Sequence, residues 1–236
     1  MRKFRVVPRG RDELWLLLAS LALVAVTLAT LNLAGEVLEG DTQHFDERIL
    51  AALRTAEDPS RPVGPAWLHT AAQDLTALGG ATVLGLTVVA VVGFLMLQGR
   101  YRNAAFILVA SVGGWVLNNL LKELFARPRP SVVPHLRDVV TLSFPSGHAL
   151  TSAVVFLTLG ALLMRVAEKR IVKFYCMAVA MTATLLVGAT RVYLGVHYPT
   201  DVLAGWLIGF AWALFCWLVA RALDRRAGLG RERAET

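Results

Sequence analysis

Residues able to do chemistry are scarce in this sequence, and they fall in three short stretches. Residues 122–130 read Lys-Glu-Leu-Phe-Ala-Arg-Pro-Arg-Pro, and residues 144–148 read Phe-Pro-Ser-Gly-His. Residues 190–201 open with Thr190-Arg191 and run on to His197, Pro199 and Asp201. Lys122, Arg129 and Arg191 are cations, and Arg forks match phosphate oxygens bidentately. Ser146 and Gly147 stand where a helix should begin. Unpaired backbone N–H groups and the helix dipole make such a start an anion site, and Gly147 lets the backbone approach an oxyanion closely. This set of residues fits phosphate.

Two histidines extend the chemistry from binding to reaction. His197 lies four residues before Asp201, with Pro199 between them. Proline is favoured at the first helical position, which puts Asp201 in the first turn of a helix and within reach of His197. A carboxylate on one ring nitrogen fixes the tautomer and leaves the other nitrogen a lone pair for attack. His148 is then available to protonate the leaving oxygen. No Cys, His and carboxylate set has metal-ligand spacing, because His44 and His69 stand alone. Three cations neutralise a phosphoryl group without a metal, so no cofactor is expected, and a route through a phosphohistidine is the economical mechanism.

Each piece also has an ordinary reading. Lys122 alone is an interfacial snorkeler, Arg129-Pro130 a turn, and Ser146-Gly147 an N-cap and a loop glycine. His148 alone is an interfacial residue, His197 with Asp201 a structural hydrogen bond, and Arg191 a complement to a helix dipole. Their joint order argues for one site. Tyr193, Tyr198 and Trp206 read as packing or belt residues, and Asn118-Asn119 as helix–helix hydrogen bonds.

A membrane bundle must hold these residues. The 236 residues are 56 % apolar and 17 % charged, against roughly 45–50 % and about 25 % in an ordinary soluble domain. Disorder and a disulfide scaffold are excluded by the apolar content and by a count of two cysteines. The net charge of +7 would suggest nucleic acid in a soluble chain; in an apolar one, position matters more than the sum. Six apolar runs approach the about 20 residues a membrane helix needs: 14–34, 80–97, 104–121, 149–164, 171–189 and 202–220. The first reads as a retained span, since its apolar core exceeds the roughly 7–15 residues of a signal peptide and no small-residue cleavage site follows.

Sixteen of the 24 Lys and Arg residues lie in the first tail (Arg2, Lys3, Arg5, Arg9, Arg11), in 98–103, in 165–173 and in the last tail from Arg221 on. An excess of Lys and Arg marks the cytoplasmic side. Both termini are therefore expected inside, with 35–79, 122–148 and 190–201 outside and all three stretches on that outer face. Segment 35–79 carries two apolar stripes, Phe45, Ile49, Leu50 and Leu53 after a candidate Asp41-Thr42 cap, then Trp67, Ala71, Leu75 and Leu78 after Pro65. Two short amphipathic interfacial helices are expected there. Cys176 and Cys216 fall in cytoplasmic halves of spans and read as packing residues. The expected fold is an all-α integral membrane bundle of six spans, residues 1–236 forming one domain.

The three stretches resemble the signature of the type-2 phosphatidate phosphatase family: Lys, six residues, Arg-Pro; Pro-Ser-Gly-His; and Ser-Arg, five residues, His, three residues, Asp. The resemblance implies a phosphate pocket of Lys122, Arg129, Ser146, Gly147 and Arg191. It also implies His197 as nucleophile, Asp201 as its partner and His148 as general acid. Thr190 occupies the family's usual Ser; it keeps the hydroxyl for a phosphate contact but is stiffer. Vanadium haloperoxidases share the signature, yet they are soluble.

The expected function is hydrolysis of a lipid phosphomonoester or terminal diphosphate at the outer leaflet of a bacterial-type inner membrane. Phosphatidate, phosphatidylglycerophosphate, undecaprenyl diphosphate and lipid A phosphates all fit such a pocket, and the short outer segments suggest broad headgroup tolerance. A lipid-phosphate phosphotransferase using the same pocket, or a non-catalytic lipid-phosphate binder or transporter, stays open at this point. The expected partners are the lipid substrate and the bilayer, with no nucleic acid; the oligomeric state is open.

Overall fold

A computed structural model of the chain describes residues 9–137 and 141–234, the side chains of 9–12 and 226–234 excepted. Arg2, Lys3 and Arg5 of the first tail lie outside the described residues, as do the side chains of Arg9, Arg11, Arg226, Arg231 and Arg233. The described residues form eight helices: α1 (Arg9–Glu39), α2 (Gln43–Ala52), α3 (Ala66–Ala77), α4 (Ala81–Leu97), α5 (Tyr101–Phe125), α6 (Gly147–Val166), α7 (Arg170–Tyr193) and α8 (Pro199–Ala234).

Five of them, α1, α5, α6, α7 and α8, are long and apolar enough to cross a membrane. Helix α4 has 17 residues, which at 1.5 Å per residue is about 25 Å, short of the roughly 30 Å hydrocarbon core. Together with α3, across a 46° bend, it makes a sixth candidate. Each apolar run read from the sequence falls inside one helix or begins one residue before it, but most helices run past those bounds. Hydropathy sees only the apolar stretch, whereas the backbone ladder continues into the polar interface, carrying Lys122 and Glu123 on the last turn of α5.

Segment 35–79 does contain two short helices, but their inward faces differ from the expected stripes. Helix α2 buries Asp46 and Leu50 and leaves Phe45 exposed; α3 buries Ala72 and Thr76 and leaves Trp67 and Leu78 exposed. Of the expected Asp41-Thr42 cap, Thr42 does stand at the N-cap of α2, but without a capping side-chain bond. The chain turns at Gly40 (φ 87°) straight into α2, so Thr42 is already helical (φ −81°, ψ −12°) and its side chain makes no cap hydrogen bond. A capping side chain needs an extended backbone.

The core lies where α6 meets α8 and α1. Leu150 and Val154 of α6, Ala204, Ile208 and Cys216 of α8, and Ala34 and Val37 of α1 form one buried cluster with Phe144. A second cluster joins Leu84 and Val88 of α4 to Ala104 and Ile107 of α5 and Val155 of α6. Helices α6 and α8 touch through their backbones. A Cβ on Gly205 would lie 2.7 Å from the Ser146 carbonyl oxygen, and one on Gly209 2.6 Å from that of Leu150. Small residues four apart permit such close crossings between membrane helices, where van der Waals packing rather than the hydrophobic effect drives association.

That contact sets the start of α6 against the start of α8. Gly209→Val should therefore destabilise the protein by about 1–3 kcal/mol, the usual cost of overpacking, despite valine's better helix propensity. Thermal unfolding in detergent checks this; a melting temperature equal to or above that of the parent would refute the contact.

Candidate active site

The three stretches meet at one end of the bundle. The last turn of α5 supplies Lys122, the first turn of α6 Gly147 and His148, and the last turn of α7 Arg191. The α7–α8 turn brings His197, and α8 begins at Pro199 with Asp201 in its first turn. The α7–α8 turn is fixed by the chain itself. Gly195 adopts φ 73°, its N–H bonds the Val192 carbonyl, and the Val196 N–H reaches back to Arg191. This is the Schellman closure that a C-terminal glycine allows. Arg54, which the charge count treats only as an outer basic residue, is buried and donates to the Tyr193 carbonyl at 3.0 Å. It caps the end of α7.

His197 is 1 % exposed. Its Nε2 lies 3.2 Å from an Arg129 Nη1, and because a guanidinium only donates, Nε2 must present its lone pair. The ring proton therefore sits on Nδ1, which is 3.5 Å from Asp201 Oδ2 and 3.4 Å from the Ser143 hydroxyl. Ser143 donates in turn to Asp201 at 2.5 Å. Burial pushes the imidazole well down, to about 3, with Arg129 and Arg191 acting in the same direction against Asp201. His197 is neutral at pH 7.

Asp201 is fully buried and saturated with donors. Arg127 Nη1 reaches Oδ1 at 2.6 Å, and the Tyr198 N–H reaches Oδ2 at 2.9 Å. The other arm of Arg127 holds Asp46 at 2.9 Å, and Asp46 accepts from the Thr200 N–H at 3.0 Å and the Thr200 hydroxyl at 2.5 Å. Arg127 lies over the Tyr198 ring at 4.2 Å, a cation–π geometry. Asp46, Arg127 and Ser143 were not singled out from the sequence. The available signal for Arg127 was a further arginine between Lys122 and Pro130 in a charge-poor chain. Asp46 sits beside an apolar stripe and Ser143 in an irregular loop, and neither had a legible signal.

The three cations expected to hold phosphate do converge. Lys122, Arg129 and Arg191 line one cavity of about 620 Å³ together with Gly147, His148 and His197. Lys122 donates to the Leu142 carbonyl, Arg129 to the Val196 and Thr141 carbonyls at 2.6 Å, and Arg191 to the Thr76 hydroxyl at 3.0 Å. None of the three has a carboxylate within ion-pair distance among the described residues. Arg191 is 2 % exposed and its Nε has no partner. From there the cavity runs down an apolar wall of Leu84, Val88, Leu108, Val112 and Trp115, between α4 and α5.

Two expected phosphate ligands do not line it. Ser146 is buried against α8 with its hydroxyl unpartnered, and its N–H donates to the Asp201 carbonyl at 2.9 Å. Thr190 is buried and its hydroxyl donates to the Val187 carbonyl at 2.7 Å, the usual back-bonding of threonine inside a helix. In place of the expected phosphate contact, the structure gives that hydroxyl a backbone partner away from the cavity wall. Asn118 and Asn119 also depart from expectation, since both line the cavity. Asn119 bonds the Trp115 carbonyl of its own helix, and the Asn118 Oδ1 is buried without a partner. Tyr198 and Trp206 pack as expected, the indole N–H of Trp206 donating to Thr184 at 3.1 Å.

Removing Arg127 strands two buried carboxylates. Arg127→Gln should cost about 3–5 kcal/mol of stability, the usual result of breaking a buried pair on one side. The Asp46→Asn, Arg127→Gln double variant should lose clearly less than the two single losses added together. Denaturant unfolding in detergent reads both; strictly additive losses would refute the shared network.

The PAP2 superfamily model matches residues 101–225. Phosphatidylglycerophosphatase B of Bacillus subtilis is 31 % identical over 192 residues, which cover 79 % of this chain and 88 % of that protein. Undecaprenyl-diphosphatase of Sulfolobus acidocaldarius is 32 % identical over 109 residues, covering 46 % and 47 %. The crystal structure of a transmembrane PAP2-type phosphatidylglycerolphosphate phosphatase from B. subtilis superposes with a TM-score of 0.74 at 27 % identity, covering 86 % of this chain and 96 % of that one. On the family match, the shared sequence and the shared all-helical fold, this chain belongs to the PAP2 superfamily.

Proposed function

We propose that this protein is a lipid phosphatase that removes a phosphomonoester or terminal diphosphate phosphate through a phosphohistidine, without a metal. One observation carries the reading: three cations without carboxylate partners share a cavity with a neutral, oriented histidine. Arg127 is already matched by Asp46 and Asp201, so Lys122, Arg129 and Arg191 are left for a ligand anion. With His197 neutral, they suit a phosphoryl group carrying two or more negative charges. They also supply the charge neutralisation that a metal ion would otherwise bring.

In the proposed reaction, His197 Nε2 attacks phosphorus while the P–O bond to the lipid breaks, and His148 gives its proton to the departing oxygen. A phosphate bound beside His148 favours the protonated ring that this step needs. The neutral His148 then takes a proton from water as that water attacks the phosphohistidine, which returns His197 and releases inorganic phosphate. Asp201 and Ser143 hold the Nδ1 proton throughout and stabilise the charge that develops on the ring. Gly147 and the N–H groups of the α6 start meet the phosphoryl oxygens.

The apolar cavity wall supports an amphiphile as substrate. Val112 and Trp115 are each more than half exposed on the bundle surface, so an acyl or isoprenyl chain can enter from the side. We place the site at the outer leaflet, with both termini cytoplasmic, in a single domain of six spans in a bacterial-type inner membrane. Helices α3 and α4 then supply the second span. Exposed Phe45 suits α2 lying in the interface, and exposed Trp67 at the start of α3 suits the belt at the outer end of that span. The helix ends opposite the site carry Arg102, Arg165 and Lys173, and Arg221 lies in the half of α8 away from the site, which fits this orientation.

His197→Ala should lower kcat for phosphate release by at least about 10³-fold, as loss of a nucleophile does, in detergent-solubilised protein that still unfolds cooperatively. Undiminished turnover would sink the nucleophile. A panel of phosphatidate, phosphatidylglycerophosphate and undecaprenyl diphosphate should give kcat/KM values within about tenfold of one another, a spread of 1.4 kcal/mol. Turnover of a single lipid would refute this broad tolerance.

A further inference from the structure

A second cavity, about 870 Å³ in volume, opens at the end of the bundle opposite the active site, between α1, α5, α6, α7 and α8. Helix α6 links the two ends: Gly147 meets the active site and Arg165 the second cavity, about 27 Å apart along the helix at 1.5 Å per residue. Nothing in the phosphatase reading uses this space.

Its chemistry is divided along its depth. The inner wall is apolar, with Leu16, Phe106, Leu157 and Phe210. Thr158 lies among them, but its hydroxyl is already spent on the Val154 and Val155 carbonyls at 2.7 and 3.0 Å. The depth therefore offers no free hydroxyl proton to a polar guest. The mouth carries Arg165, Lys173 and Arg221, with Trp15 and Trp217 beside them and no acidic side chain among the described lining residues. Arg165 and Lys173 have no carboxylate partner among the described residues. Tryptophans at this level match the aromatic belt where hydrocarbon gives way to headgroups.

We propose that this cavity binds one anionic phospholipid from the leaflet opposite the active site, its acyl chain along the apolar wall and its phosphate on Arg165 and Lys173. Charge complementarity selects the occupant. Basic pockets between membrane helices take anionic headgroups, and each cation near the surface strengthens binding severalfold. A zwitterionic lipid offers the same chain but no net charge. The bound lipid also joins α1 to α6, α7 and α8. Helix α1 is already tied to the core near its other end, through Ala34 and Val37.

The test counts lipid on the whole protein. Native mass spectrometry of detergent-purified protein would be titrated with a diacyl phosphodiester of net charge −1, and separately with phosphatidylcholine. The parent should retain one anionic lipid and release phosphatidylcholine. Arg165→Gln with Lys173→Gln should weaken retention about tenfold or more, the expected loss for two charges. Ala161→Phe, which fills the groove without altering charge, should weaken it as well. An active-site variant, Lys122→Gln with Arg129→Gln, should retain the lipid as the parent does.

Equal retention of the two lipids, or unchanged retention in Arg165→Gln/Lys173→Gln, would overturn the proposal. Loss only in the Lys122→Gln/Arg129→Gln variant would overturn it too, by assigning the lipid to the active site. None of these readouts depends on phosphatase turnover.

Discussion

Asp201 is the residue on which the active end depends. Its carboxylate takes Arg127, Ser143 and the Tyr198 N–H and faces His197, while its backbone carbonyl takes the N–H of Ser146. One residue thereby orients the imidazole and ties the first turn of α8 to the first turn of α6. A buried carboxylate is tolerable only when paired and hydrogen-bonded. That requirement brings Arg127, and Arg127 in turn brings Asp46 from α2. The chain of charge compensation thus runs out of the motif and into the segment between the first two spans, giving α2 a structural role beyond connection.

Against this saturated network stands a set of cations left without acids. Lys122, Arg129 and Arg191 donate to carbonyls and one hydroxyl, which fix their direction without cancelling their charge. Carbonyl dipoles offset part of the desolvation cost and leave the electrostatic attraction for an incoming anion. Preorganised charge in a site poor in water acts strongly on an anion because little reorganisation is needed. Burial, with Arg129 and Arg191 acting the same way, keeps His197 uncharged and preserves the lone pair beside the cations.

Much of this was legible from residue types and spacing. The helices at the three stretches, the proline that opens α8 and the pairing of His197 with Asp201 follow from local rules about caps, turns and reach. The ladder of membrane helices follows from apolar run length. Less legible were the inward faces of α2 and α3. An apolar stripe normally marks the core side, but next to lipid both sides of a helix can be apolar, and α2 turns Asp46 inward while Phe45 faces out. Thr190 shows the converse: its type suits phosphate, yet a helical threonine has its own backbone within reach and spends its hydroxyl there.

Residue types and spacing are enough to establish that the chain is a membrane bundle, that its phosphate-type residues gather in three stretches, and which histidine has a carboxylate four residues away. These are local properties, carried by composition and by periodicities of a few residues. Tertiary structure alone decided that Arg127 is consumed by Asp46 and Asp201 while Arg129, two residues on, faces the cavity. It alone decided that Gly205 and Gly209 bring α8 against α6, and that Asn118 looks into the site. The reason is that pairing and burial depend on partners tens of residues away. A charge in the sequence carries its sign, but only the packed fold determines whether another charge cancels it.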